Sequence, residues 1–280
     1  MSQATLFVVA TPIGNLDDLS PRARQVLADV DLIAAEDTRR SGRLLSHFGI
    51  DNKQIALHEH NERDVVPRVI GKLQQGLSVA LVSDAGTPLV SDPGYRLVRA
   101  AHEADIPVAP IPGASAVVAA MSAAGLPSDR FAFEGFLPSK HEARVAKLRL
   151  LETDSRTLVF FESVHRINAT LGDMAEIFGA ERRAFIGREI SKRHEQCVHA
   201  PLQRLREMLI SGEIVARGEF VVAVSGAPRQ AADNGTINAS ELLVELLEIL
   251  PSRQAVDLVS KLSGRKRNDV YREMLSFKSD

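Results

Sequence analysis

Apolar residues along this chain fall into two alternating rhythms. Short runs rich in β-formers read as strands: Thr5 to Ala10 (TLFVVA), Asp31 to Ala35 (DLIAA), Gln54 to Leu57, Ser78 to Val82 and Val108 to Ile111. Between them, apolar residues recur at helical spacing. The sets are Ala23, Val26 and Leu27; Leu44, Leu45 and Phe48; Val65, Val66, Val69, Ile70 and Leu73; and Leu97, Val98 and Ala101. Pro67 falls early enough in the third helix to be tolerated. Ser20-Pro21 and Asp92-Pro93 each predict a helix start, a capping side chain followed by proline. Pro112 to Ser115 opens a small-residue helix, Ala116 to Ala124. Five such alternations predict a largely parallel sheet with helices on both faces.

Gly125 to Asp129 reads as a linker into a second half with strands at Arg130 to Phe136, Arg156 to Phe161, Arg183 to Ile186 and Gly218 to Val224. A basic helix is expected over Lys140 to Leu151 and another helix after His165-Arg166. Gly187 to Glu195 reads as a charged loop, and Ala227 to Gly235 as a polar linker. Beyond Ala239 the pattern is purely helical, with a Ser263-Gly264 turn before a basic helix start, and looks helix-turn-helix-like. The expected organisation is an α/β lobe at 1–124, a second α/β lobe at 125–226 and a small helical segment at 227–280.

Charge sharpens this picture. The net charge of -2 argues against bulk polyanion binding, but its distribution is uneven. Pro251 to Asp280 carries seven Lys or Arg against four Asp or Glu, so +3 there leaves -5 for the rest. Cys197 is the single cysteine, so no internal disulfide forms. The first residues carry no secretory pattern, and no run approaches the roughly 20 apolar residues of a membrane span. A cytoplasmic protein is expected.

The most informative stretch is Leu81 to Val98, LVSDAGTPLVSDPGYRLV: strand, loop of small and turn-forming residues, helix. Loops at strand ends are where open α/β sheets bind ligands. The usual nucleotide fingerprints are missing. Thr11-Pro12-Ile13-Gly14 stands where a G-x-G-x-x-G would, and no P-loop or G-x-S-x-G elbow occurs. His58-Glu59-His60 has no third ligand at a recognisable spacing, so no metal site is expected. Glu36-Asp37 with Arg39-Arg40, His165-Arg166, and Arg188-Glu189 with Lys192 all follow predicted strands. If the two sheets face each other, they border the same cleft as Asp84.

Seven ordered motifs, ATPIGNLDDLSPRA, AEDTRRS, LVSDAGTPLVSDPG, PGASAV, FEGFLP, FFESVHR and GREISKRHE, give the chain a family resemblance over about Leu6 to Gly226. It resembles the 16S ribosomal RNA 2'-O-ribose cytidine methyltransferases of the tetrapyrrole methylase-like superfamily, and its tail resembles their small helical C-terminal segment. The resemblance implies a bilobal fold, S-adenosylmethionine as methyl donor, a homodimer and the small ribosomal subunit as substrate. It places the donor pocket at Pro12, Ile13 and Gly14; Asp84, Ala85, Gly86, Thr87 and Pro88; and Pro112, Gly113, Ala114 and Ser115. The second lobe adds Phe161 with Phe160 and Glu162, and Ala223 with Val224 and Ser225. Gly86-Thr87-Pro88 departs from the Gly-Asp-Pro usual in tetrapyrrole methylases.

A ribose hydroxyl is a weak nucleophile, so a base and a cation near the attacking oxygen should help. Glu162 or Asp84 is the expected proton acceptor, and Lys192 or Arg166 the expected stabiliser of the oxyanion. RNA contacts are expected from Arg144, Lys147 and Arg149; Arg182, Arg183, Lys192 and Arg193; and Arg265, Lys266 and Arg267. Two other readings are a tetrapyrrole methyltransferase and a non-enzymatic ribosome-assembly factor.

Overall fold

A computed structural model describes residues 4–228 and 239–277. The chain divides into two compact units, Met1–Gly226 and Ala227–Asp280. The first unit holds two five-stranded sheets. Most of the Ala227 to Gly235 linker expected from sequence lies outside the described residues.

The first lobe runs β1 (Leu6–Val9), a 3-10 turn (Leu16–Asp18), α1 (Pro21–Asp29), β2 (Leu32–Ala35), α2 (Thr38–His47), β3 (Gln54–Ala56), α3 (Glu62–Gln74), β4 (Val79–Val82), α4 (Tyr95–Glu103), β5 (Val108–Ile111) and α5 (Ala116–Ala123). All strands are parallel, in the order β3-β2-β4-β1-β5. Along that order β1 and β2 connect one way, and β3 and β4 the other. Right-handed crossovers therefore send α1 and α2 to one face and α3 and α4 to the opposite face. The core shows it. Alternate strand residues Val9, Ile33, Ala80 and Val82 pack with Leu27 and Leu45. Leu6, Ala34, Val79 and Leu81 pack with Val69 and Leu97. The chains leaving β1 and β4, adjacent strands, diverge to opposite faces and open a crevice at their C-terminal ends.

One local reading is corrected. Asp92-Pro93 does not start α4: the cap is Gly94, left-handed at φ 119°, and the helix begins at Tyr95. The buried Glu62 carboxylate accepts the Gly94 N–H at 2.7 Å instead. Pro67 lies inside α3 at an exposed position, and the helix runs through it as expected.

The second lobe runs β6 (Phe131–Phe136), α6 (His141–Leu151), β7 (Thr157–Ser163), α7 (Ile167–Phe178), β8 (Arg183–Arg188), β9 (Gln196–Pro201), α8 (Leu202–Ser211) and β10 (Glu219–Val224). Its sheet is mixed, in the order β6-β7-β10-β8-β9. β9 and α8 have no counterpart in the sequence reading, and β8 takes two residues from the expected charged loop. The outer face packs on α6, α7 and α8 through Phe160, Ile186 and Phe220. The inner face packs on α5 through Val159, Phe185 and Val221.

In the second unit, α9 (Ala239–Ile249), α10 (Ser252–Ser263) and α11 (Arg267–Phe277) bury Leu243, Val256, Val259, Val270 and Met274 together. Gly264 is left-handed at φ 69°, which closes α10 and turns the chain. Among the described residues no helix is long and apolar enough to cross a membrane.

Candidate active site

Three loops leave the C-terminal ends of β1, β4 and β5 and pack directly on one another. Thr11 and Gly86 exchange backbone hydrogen bonds of 2.9 and 3.0 Å. The Thr87 hydroxyl donates to the Ala114 carbonyl at 3.1 Å, so the departure from Gly-Asp-Pro ties two loops together. Gly86 sits at φ +85°, and a Cβ there would stand 3.2 Å from Ile13 Cγ2. A Cβ on Gly113 would meet that of Ala10 at 2.9 Å. At Gly14 it would strike the Lys192 side chain of the second lobe. At these glycines neighbouring side chains already occupy the space a Cβ would need.

A cavity of about 570 Å³ lies between the lobes. The first lobe lines it with Ile13, Glu36, Arg40, Asp84, Ala85 and Asp92. The second contributes Phe136, Phe161, Glu162, His165, Glu189, Ile190, Lys192 and Val221. Two neighbouring hollows share Ile13 with it; one is lined by Thr11, Pro12 and Gly14, the other by Gly113, Ala114 and Ser115. The volume suits a small-molecule site. Ser191 clasps the lobes: its hydroxyl accepts the Asn15 N–H at 3.0 Å and donates to Asp18 at 2.5 Å.

The first-lobe wall is acidic. Asp84 accepts the Asp37 N–H at 3.1 Å and pairs with Arg40 at 3.1 Å, while its own N–H donates to Glu36 at 3.2 Å. Burial pushes the Glu36 carboxyl above its ordinary value. Burial raises Asp92 to about 6; the Ser83 hydroxyl works against it, and the Glu36 and Asp84 charges add to it.

On the second lobe Lys192 is held by Glu189 at 2.9 Å and Glu219 at 3.0 Å. Burial opposes its charge, but the two carboxylates prevail and leave its pKa raised. The buried Glu162 carboxylate takes the Ser163 N–H at 2.7 Å, the Thr170 hydroxyl at 2.7 Å and the Arg166 guanidinium at 2.8 Å. Arg166 also donates to the Leu137 carbonyl at 3.0 Å. That network fastens the end of β7 to α7.

Of the residues named from sequence, the structure gathers Ile13, Asp84, Ala85, Phe161, Glu162 and Lys192 on one cavity. It places Pro12, Gly14 and Gly113 to Ser115 in the adjoining loops. Ala223 is different: it is fully buried with α5 in the core, and β10 lines the cavity with Glu219, Phe220 and Val221 instead. Arg144 is likewise no surface contact. It is buried and pairs with Asp173 at 2.6 Å. Lys147 pairs with Glu134 at 2.8 Å, whereas Arg149, Arg183 and Arg193 are exposed. His58 and His60 stack edge-on, 6.1 Å between ring centres, outside the cavity. Asp92 and Phe136 are lining residues that sequence reasoning missed. The sequence pattern reads the first as a helix cap and the second as part of an ordinary strand.

The residues fit a donor carrying a positive sulfonium. Glu36, Asp84 and Asp92 face the cavity from the first lobe, the second-lobe Glu162 and Glu189 are neutralised by Arg166 and Lys192, apolar Ile13, Phe161, Ile190 and Val221 complete much of the wall, and the glycine-containing loops adjoin it.

Comparison with known proteins agrees with this geometry. The family model of tetrapyrrole (corrin/porphyrin) methylases matches residues 5–206, and that of the RsmI C-terminal HTH domain matches residues 233–278. Ribosomal RNA small subunit methyltransferase I of Pseudomonas aeruginosa is 51% identical, covering 98% of both chains. The protein of that name from Escherichia coli O157:H7 is 46% identical, covering 98% of this chain and 96% of its own. Among solved structures, a diphthine synthase superposes with TM-score 0.60 at 15% identity, covering 79% of this chain and 90% of its own. Uroporphyrin-III C-methyltransferase from Thermus thermophilus, complexed with S-adenyl homocysteine, gives 0.55 at 17%, covering 79% and 97%.

Proposed function

The chain belongs to the tetrapyrrole methylase family, among the relatives named ribosomal RNA small subunit methyltransferase I, and on that premise we propose that it transfers a methyl group from S-adenosylmethionine to a cytidine 2'-hydroxyl of 16S ribosomal RNA. The observation that carries this reading is one interlobe cavity with an acidic wall on the first lobe and Lys192 on the second, in a chain whose full length matches those relatives. Tetrapyrrole-modifying enzymes share the fold at low identity, and the second unit, matched by a separate C-terminal family model, favours the RNA reading over a macrocycle.

When bound, the donor supplies a methyl group already activated by its sulfonium. The chain's own work is attraction, alignment and proton management. Glu36, Asp84 and Asp92 favour a cation in the cavity. The backbone cradle fixes orientation, and alignment of this kind is worth several kcal/mol, on the order of 7–11 at best. Lys192, kept protonated by its carboxylate partners, can turn from the exposed Glu219 towards a developing oxyanion. Glu162, expected from sequence as the base, already accepts three hydrogen bonds, and Arg166 is spent on it. Both are positioning residues in this proposal. Asp84 is engaged by Arg40, so the proton falls to Asp92, whose carboxyl burial raises to about 6.

The family resemblance further supports a homodimer acting in the cytoplasm. Arg265, Lys266 and Arg267 of the second unit are exposed and are its candidate phosphate contacts, although Arg265 pairs with Glu273 and Arg267 with Asp257. The test is methyl transfer from labelled donor to small subunits of cells lacking the protein, with uroporphyrinogen as the competing acceptor. Label in 16S RNA alone is expected; label in the macrocycle would reverse the assignment.

A further inference from the structure

Phe136 is 55% exposed, yet it lines the interlobe cavity. Its position comes from a fault in β6. Phe133 pairs with Val159, but the next pairing is Gly135 with Phe160, so Glu134 is an extra residue and Phe136 pairs with Phe161. Regular alternation would have turned Phe136 to the outer face, where Phe160 packs. The bulge turns it instead to the inner face, beside Phe161. Bulges that re-aim a side chain recur next to active sites.

The bulge is built, and it has a cost. Gly135 sits at φ +66°, and a Cβ there would stand 3.3 Å from the hydroxyl of Ser91, on the first lobe's cavity wall. Glu134, the extra residue, is pinned by Lys147 at 2.8 Å. The Phe136 ring meets Phe161 edge-on at 5.6 Å and 62°, and Phe161 meets Phe133 at 4.8 Å. A three-ring cluster thus fixes the plane of a half-open ring at the cavity's rim.

We infer that Phe136 is a stacking platform for the base of the nucleotide whose ribose receives the methyl group. This rests on the RNA methyl-transfer reading above. A ribose hydroxyl reaches an interlobe cavity only if its nucleotide leaves the helical stack, and exposed aromatic rings are what proteins use to hold such unstacked bases. Phe136 is a positioning residue for the acceptor and takes no part in donor binding.

The chain contains no tryptophan, so Phe136→Trp creates a single fluorescent reporter at this rim. Small subunits from cells lacking the protein should quench it. The donor product S-adenosylhomocysteine alone should not, nor should subunits quench Ile210→Trp, exposed on α8 of the opposite sheet face. Phe136→Ala should lose about 5- to 150-fold in kcat/KM for subunits, as expected for one base–aromatic stack. Its donor affinity and melting temperature should hold, and Phe136→Tyr should recover most of the loss. Full activity in Phe136→Ala, no quenching by subunits, or quenching by S-adenosylhomocysteine alone would each overturn the inference. Failure of the wild type to label subunit RNA would instead strike the functional reading beneath it.

Discussion

Asp92 carries the sharpest residue-level expectation. Its carboxyl titrates near 6 in the folded chain against 3.8 ordinarily, so the folded state holds that proton more tightly than the unfolded one. The penalty on stability is absent below about pH 4 and complete above about pH 6. Asp92→Asn should therefore stabilise the protein at pH 7.5 by about 1 kcal/mol after solvent screening, with no gain at pH 4, as read by urea melts. Activity runs the other way. Wild-type kcat/KM should fall as pH drops through about 6, and the variant should be slow with that limb flattened. Glu162→Gln makes the contrasting case. Breaking a buried, fully hydrogen-bonded pair typically costs about 3 kcal/mol, so this variant should melt early while its folded fraction still turns over. Neither role was legible in sequence. Asp-Pro-Gly before an apolar helix reads as a cap, and only the burial of Glu62, which takes the Gly94 N–H, explains why it is not. Arg144 reads as a surface cation for the same reason: its partner Asp173 is twenty-nine positions away.

At the scale of elements, the loop after β4 is the part proposed to hold the donor, and its close packing was legible. Its run of small residues at a strand end announced close backbone approach, and Gly86 delivers it at φ +85° against Ile13. Gly86→Val should weaken S-adenosylhomocysteine binding at least about tenfold by calorimetry, since a branched residue there costs on the order of 1–2 kcal/mol in backbone strain before any clash. Donor affinity equal to wild type would remove this loop from the pocket. The central strands of the first sheet, β2 and β4, were legible because burial on both faces makes each a continuous apolar run. β9 was not. It is an edge strand, half exposed, and Gln196 to Pro201 lacks any such run. The β6 bulge was invisible too, because register belongs to a pair of strands and no single strand encodes it.

For the whole molecule, the two lobes and the helical second unit followed from the order of elements, while the convergence of Asp84, Lys192 and Phe136 on one cavity needed the sheets to face each other. The second unit has its own buried cluster. Removing it after Gly226 should leave donor affinity within about twofold but lower subunit affinity and flatten its salt dependence. Unchanged subunit binding would deny it a role in recognition. The most direct test of the account joins both ends of the reaction. Small subunits from cells lacking the protein are incubated with it and methyl-labelled S-adenosylmethionine, and the RNA is then hydrolysed in alkali. The account predicts label in an alkali-resistant dinucleotide bearing 2'-O-methylcytidine, lost with Gly86→Val; label released as a base-methylated mononucleotide, or no label at all, would contradict it.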